Sequence, residues 1–228
     1  MPFYYGLDLG QSSDPSAAII LEAHGVWPEQ SYDCRYIEQF RLGTSYPAIV
    51  QAVSATLDRV PLVGACTLCI DATGVGKPVA DMFTEAQRAY VGVIITGGSR
   101  WHVDADDTHQ WHVAKILLVS IVQKFLQSGR LRIGAKLPHA STLQRELRDF
   151  RVRISKSANE TYEAREGQHD DLVLSLAIGL FVAEHGGPPA QDVDPGEMAR
   201  IWREAGFEVA PPDAPMEHRR WQRRGRYW

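Results

Sequence analysis

Four acidic residues stand where an apolar segment meets a turn or a helix start. Asp8 closes the run YYGLD, Asp71 closes ACTLCID, and Asp170 and Asp171 open HDDLVLSLAIGLF. A carboxylate is costly inside a sheet but available at its edge, and in open α/β sheets ligands bind beyond the carboxyl ends of the strands. Adjacent acids at a helix head also have a plain reading, as caps and partners of the helix dipole. That reading accounts for one of Asp170 and Asp171 better than for both. Hard divalent cations such as magnesium take oxygen ligands, few of them from protein, and carboxylates from separate elements suit them. Two such ions about 3.5–4 Å apart can activate a water and stabilise the leaving oxygen of a phosphodiester. Without a cation, crowded carboxylates repel one another and their pKa values rise.

The stretch IDATGVGKP (70–78) invites a different chemistry, the cradling of a nucleotide phosphate. A P-loop needs G-x-x-x-x-G-K-[ST], with the last hydroxyl on magnesium. Here the first position is Asp71 and the last is Pro78, so both ends fail. The dinucleotide fingerprint fails as well, because Val79 stands where its third glycine belongs. What remains is an aspartate at the end of a strand, followed by a glycine turn.

The elements that must carry these acids follow from periodicity. YYGLDLG (4–10), SAAIILEAHG (16–25) and YDCRYIEQFRL (32–42) read as three strands joined by short loops, an antiparallel meander. YPAIVQAVSATLDRV (46–60) has helical spacing, with Ile49, Val50, Val53 and Leu57 on one side. ACTLCID (65–71) reads as a buried parallel strand, GKPVADMFTEAQ (76–87) as a helix with proline in its first turn, and YVGVIIT (90–96) as a fifth strand. GGSRWHVDADD (97–107) is a loop-like insert, and 109–129 is a long helix closed by Gly129. RLRIG is a short strand, a capping box from Ser141 to Gln144 opens a helix to Phe150, and RVRIS and TYEAR suggest a two-stranded element. HDDLVLSLAIGLFVAEHG (169–186) is apolar nearly all round, as a buried helix is. The layout is that of a ribonuclease H-like α/β fold: a mixed five-stranded sheet, three antiparallel strands and then parallel ones, with helices on both faces. One domain is expected over 1–186, and 187–228 reads as a linker, a short helix near 196–205 and an arginine-rich tail.

Composition is that of an ordinary globular chain: 228 residues, 44% hydrophobic and 23% charged. The apolar runs are short of the roughly 18 to 20 residues of a membrane span, and the N-terminus has no signal-peptide pattern. Cys34, Cys66 and Cys69 are too few and odd in number for a disulfide framework, so a reducing, cytoplasmic setting is expected. Cys66 and Cys69 lie three apart on a strand and face opposite sides, which suits core thiols better than a metal clip. The net charge of −4 carries no nucleic-acid signal, but the last eleven residues hold five arginines and no acid. That tail either touches phosphates or an acidic partner, or is a solvated end.

The patterns GLDLGQSSDPSAAIIL, CIDATGVGKPVADMF and EGQHDDLVLSLAIGL together resemble the nuclease domain of phage large terminase subunits, over about residues 3–185. They are similar, more distantly, to Holliday-junction resolvases of the ribonuclease H-like superfamily. The HDDLVLSLA segment is the most specific part. The resemblance implies that Asp8, Asp71 and Asp171 are catalytic and bind two magnesium or manganese ions that cut double-stranded DNA. Asp170 is then a fourth ligand or a neighbour of one. His169 occupies the place of a resolvase histidine and either binds metal or is a plain loop residue. Full terminases carry an N-terminal ATPase motor, and no Walker motif is found in this sequence. The chain is accordingly expected to be an excised domain, a truncated prophage product or a stand-alone relative. Implied partners are that motor domain, the small terminase subunit and the portal, with an isolated domain that is monomeric and has no membrane. Rival expectations are a structure-selective resolvase and a non-catalytic module that docks a portal.

Other candidates have plain alternatives. Lys136, Arg145, Arg148, Arg151 and Arg153 are candidates for DNA backbone contacts, which position the duplex without reading it, or are ordinary surface charge. Lys77 near Asp71 either reaches a phosphate or is solvated. Arg100, with Trp101, sits in an insert that could lean on DNA as a hairpin. Asp104, Asp106 and Asp107, with His102 and His109, are either a further metal site or, since they lack the glycine and spaced acids of a calcium loop, a solvated acidic loop. Asp14-Pro15 reads as the turn after the first strand, and Trp111 and Trp202 as packing residues.

Overall fold

The computed structural model of the chain describes residues 2–10, 14–156 and 170–186, the side chains of 150–156 excepted. An antiparallel meander comes first: β1 (Phe3–Asp8), β2 (Ala17–His24) and β3 (Ser31–Gln39). α1 (Tyr46–Leu57), β4 (Cys66–Asp71), α2 (Gly76–Glu85) and β5 (Tyr90–Thr96) then alternate. β6 (Trp101–Val103), β7 (Gln110–Ala114), α3 (Lys115–Gln127), β8 (Leu131–Ile133), α4 (Ala140–Lys156) and α5 (Asp171–His185) follow. The strands form one sheet in the order β6-β7-β5-β4-β1-β2-β3-β8. β1 runs antiparallel to β2 and parallel to β4, and β5 and β7 continue the parallel half.

The mixed α/β class and the meander-then-parallel order match the expectation. The strand count does not: the sheet has eight strands rather than five. β6 pairs antiparallel with β7 inside the segment expected to be a loop, and β8 adds to β3 at the far edge. The expected helix over 109–129 begins only at Lys115. QWHVA before it alternates, with Trp111 and Val113 buried and His112 half-buried, which is the period of a strand. The helical spacing of Leu118, Ile121, Val122 and Phe125 starts after it. RVRIS is not a strand either, because α4 runs on to Lys156. A helix completes its hydrogen bonds within itself, whereas an alternating segment needs a partner strand. The expected capping box at Ser141 is not at the helix start, since α4 begins at Ala140, after His139 in a left-handed conformation. The partner segment TYEAR, the helix near 196–205 and the arginine-rich tail lie outside the described residues.

Two cores sandwich the sheet, one on each face. Phe3, Tyr5 and Leu7 of β1 and Leu68 and Ile70 of β4 pack with α1 and α2. Tyr4 of β1 and Cys69 of β4 pack on the other face with α3, α4 and α5. Cys66 sides with the first core and Cys69 with the second, so the two thiols do face opposite ways. α5 is buried from Asp171 to Ala183 and crosses β1, β2 and β4. It can lie that close because glycines meet at the crossing. A Cβ on Gly6 would stand 2.9 Å from the Ser175 carbonyl carbon and 3.2 Å from the Gly179 nitrogen. Among the described residues, no helix is long and apolar enough to cross a membrane.

Candidate metal centre

Strand alternation decides where the acids point. Residues two apart share a face, so Asp8 projects with Tyr4 and Gly6, and Asp71 projects with Cys69. Both therefore face α5 and not α1. The register pairs Leu7 with Ile70, which leaves Asp8 and Asp71 side by side at the carboxyl ends of β1 and β4. Asp171 arrives from above as the first residue of α5, preceded by Asp170 at the cap position. The Gly6 crossing sets the height of that helix over β1. Ser175 Oγ, 2.8 Å from Asp171 O and 2.9 Å from Ala17 O, ties the same turn to β2.

The turn after Asp71 is held by its own side chains. Thr73 N–H donates to Asp71 Oδ1 at 2.8 Å, and Ile95 N–H donates to Thr73 Oγ1 at 2.8 Å. Gly76 presses on the Asp71 carbonyl, whose carbon would be 2.8 Å from a Cβ there, and Gly74 has φ +57°. The glycines of IDATGVGKP thus serve a close turn that aims Asp71. Lys77 is exposed in the first turn of α2.

The electrostatics are those of crowded acids. Asp8 and Asp171 are each only 6% exposed. Burial, and then the charges of Asp71, Asp171 and Asp170, push the Asp8 carboxyl well above its usual range. Asp71 is raised too, by burial, against hydrogen bonds from Thr73 and the nearby Lys115 ammonium. The two carboxyls are hydrogen-bonded to each other, so they titrate as a pair and both sit above the ordinary carboxylate range.

Two residues of this neighbourhood escaped the sequence reading. Lys115 Nζ donates to Asp170 Oδ2 at 3.1 Å. It was hidden inside the stretch read as one helix, and its signal was a lysine between the apolar halves of HVAKILL. Glu146 of α4 is buried, and its Oε2 accepts from Leu172 N–H at 3.0 Å and Val173 N–H at 3.2 Å. Burial and the Asp171 charge push it up to about 8, against those two bonds. A glutamate at helical spacing with Leu143 and Leu147, on the buried face of α4, was the available signal. Five carboxylates thus gather at one corner of the sheet, and Lys115 offsets one of them.

The remaining predicted residues are more dispersed. His169 lies outside the described residues. Arg100 is exposed before edge strand β6, and Lys136 is exposed after β8, at the opposite edge of the sheet. Arg145 and Arg148 are exposed on α4; the side chains of Arg151 and Arg153 are not described. Asp104 accepts from the backbone of Asp106 and Asp107, so the acidic insert folds on its own turn. Asp14 is exposed in the loop after β1. Trp111 is buried against Trp101.

One other group draws metal-type ligands together: atoms of Glu22, His24 and Asp33 all lie within 4.8 Å of one another. Among the described residues, the Asp8 corner has no such tight triplet. The Glu22 group is already neutralised. Arg35 bonds both Glu22 and Asp33, and Arg132 bonds Asp33. Those partners, with His24, lower the Asp33 carboxyl to about 2 despite burial. It is an ion-pair network at the opposite end of β1, where Glu22 pairs with Phe3. A cation gains little there, because the arginines already balance the acids.

No protein-family model and no curated protein matches the chain. Solved structures do. The large terminase nuclease from thermophilic phage G20c aligns with a TM-score of 0.53 at 20% identity, over 78% of this chain and 80% of that one. Its zinc-bound form gives 0.50 at 20% identity, over 78% and 79%. The manganese-soaked terminase nuclease domain of human cytomegalovirus gives 0.41 at 12% identity, over 91% and 87%. At these identities the likeness is one of fold. The chain shares the fold of the phage G20c large terminase nuclease.

Proposed function

We propose that the chain is a divalent-metal-dependent endodeoxyribonuclease of the large-terminase type, acting on double-stranded DNA during phage genome packaging. The observation that carries this is the convergence of Asp8, Asp71 and Asp171 from two adjacent parallel strands and one buried helix. A fold does not by itself stabilise such a cluster, and like-charged carboxylates kept together are ready ligands for hard cations. The phage nuclease that shares the fold takes zinc in one of its structures, in keeping with a divalent site.

Asp8, Asp71 and Asp171 would hold the ions, magnesium or manganese and two in number, with Asp170 as the fourth acid and His169 as a further candidate. When bound, paired divalent cations polarise a phosphodiester and supply a water nucleophile at neutral pH. The chain's own residues do the rest. Thr73 fixes the Asp71 carboxylate, and Ser175 fixes the turn that bears Asp171. Lys115 holds the Asp170 carboxylate and brings an ammonium beside the cluster, suited to an approaching phosphate. Lys77, Arg100, Lys136, Arg145, Arg148, Arg151 and Arg153 are the candidate backbone contacts, and their spread across the sheet suits a long duplex. In the assembled machine the partners are an ATPase motor domain, the small terminase subunit and the portal. The setting is the host cytoplasm, in keeping with three free cysteines.

Plasmid nicking in manganese, for the wild type and Asp71→Ala, tests the reading. Nicking by the wild type and its loss in the variant is expected. Equal, metal-independent nicking by both would sink it, and no nicking by either would favour a docking module. Linear duplex and four-way junction compared side by side separate a packaging nuclease from a structure-selective resolvase.

A further inference from the structure

We infer that Glu146 is a positioning residue for the metal centre: it caps α5 from a neighbouring helix and so holds Asp171 over Asp8 and Asp71. The inference rests on the nuclease reading above.

A helix start leaves its first N–H groups without partners inside the helix, and a side chain at the cap position usually takes one of them. α5 is built otherwise. Its cap residue, Asp170, makes no side-chain capping bond, has φ −128° and ψ 15°, and turns its carboxylate to Lys115. The first-turn N–H groups of Leu172 and Val173 go instead to one oxygen of Glu146, from α4, twenty-six residues earlier in the chain. Glu146 is 6% exposed, between Leu143 and Leu147, which are buried in the same core as α5. Its second oxygen, Oε1, is buried with no hydrogen-bond partner among the described residues.

This arrangement has a purpose that a local cap would not serve. An aspartate that capped its own helix would point back along the backbone and be lost to the cluster. With the N–H groups satisfied from α4, neither Asp170 nor Asp171 has to serve as the cap. Partners behind metal ligands orient them, and their loss typically costs about 10–100-fold in metal affinity.

The test compares Glu146→Ala with Glu146→Gln, whose amide oxygen can accept the same two bonds. Three quantities are read: hydrogen exchange of the Leu172 and Val173 amides, manganese affinity by calorimetry, and plasmid nicking. Glu146→Ala should lose protection at those two amides and weaken manganese binding by about tenfold or more. Glu146→Gln should keep both close to wild type. Should Glu146→Ala fail to fold, Glu146→Asp, whose carboxylate is one methylene short, makes the same comparison. Unchanged protection, or lost protection with wild-type manganese affinity, overturns the inference. A wild type that neither binds manganese nor nicks DNA overturns the nuclease reading itself, and that outcome is distinct because it does not depend on the variants.

Discussion

Gly6→Ala tests how the fold sets the height of α5 over the sheet. The added Cβ would lie 2.9 Å from the Ser175 carbonyl carbon and 3.2 Å from the Gly179 nitrogen. Both are backbone atoms, so no side chain can rotate out of the way. The Ser175 carbonyl oxygen would be closer still, so the helix must retreat by about 1 Å or more to restore ordinary contact. Overpacking of this kind costs about 1–3 kcal/mol. For a domain of this size that lowers Tm by about 2–4 °C per kcal/mol. The second effect is on the site, because Asp171 rides on the same helix. A displacement of about 1 Å far from the chemistry can cost on the order of 100-fold in rate. Gly6→Ala should therefore melt about 5 °C lower and cut plasmid roughly 100-fold more slowly in manganese, still folded by circular dichroism. Gly134→Ala is the control. There a Cβ meets only the Leu137 side chain at 3.5 Å, and stability should change by less than about 0.5 kcal/mol. If Gly6→Ala matched the control in both Tm and nicking, the crossing would not be what sets the site.

Three further outcomes follow from the electrostatics and the core. In chelator at neutral pH, Asp8→Asn should melt higher than wild type: a carboxyl whose folded pKa is raised loses stability as pH rises from about 4 toward that value. Added manganese should raise the wild-type Tm and leave the variant's nearly unmoved, and the reverse pattern by differential scanning fluorimetry would contradict the site. Asp33 has the opposite sign, lowered from 3.8 to about 2. Its contribution is complete above about 4, is lost as pH falls toward 2, and amounts to roughly 2 kcal/mol. Urea titrations at pH 6 and pH 2.5 should show the gap between wild type and Asp33→Asn shrinking at the lower pH. Cys69 is fully buried and its thiol is pushed well above the ordinary range by burial. It should stay unmodified by a thiol reagent in native protein at pH 8 and react on unfolding, whereas fast native modification would place it at the surface.

Much of the site's framework could be read from local pattern. Asp8 and Asp71 end apolar strands, and Asp171 heads a helix that is apolar all round because it is buried all round. The strand that failed to register, β7, is short and runs straight into α3, so the strong helical period of 115–127 masked the weaker alternation before it. At RVRIS the alternation extends over only five residues, and the helix runs on through it. The glycine turn after Asp71 looked like a phosphate cradle, but Gly76 is required by contact with the Asp71 carbonyl.

The amino-acid sequence by itself determined the α/β class, the order of antiparallel and parallel strands, and the acids at element ends. Those features depend on periods of 2 and 3.6 and on residues adjacent in the chain. Only the tertiary structure decided that Lys115 would meet Asp170 across 55 residues, that Glu146 would cap α5 across 26, and that Gly6 would admit Ser175 and Gly179. Each of these is a meeting of surfaces brought together by packing. A local pattern records which face of an element is buried, and it does not record which distant backbone or charge will be found there.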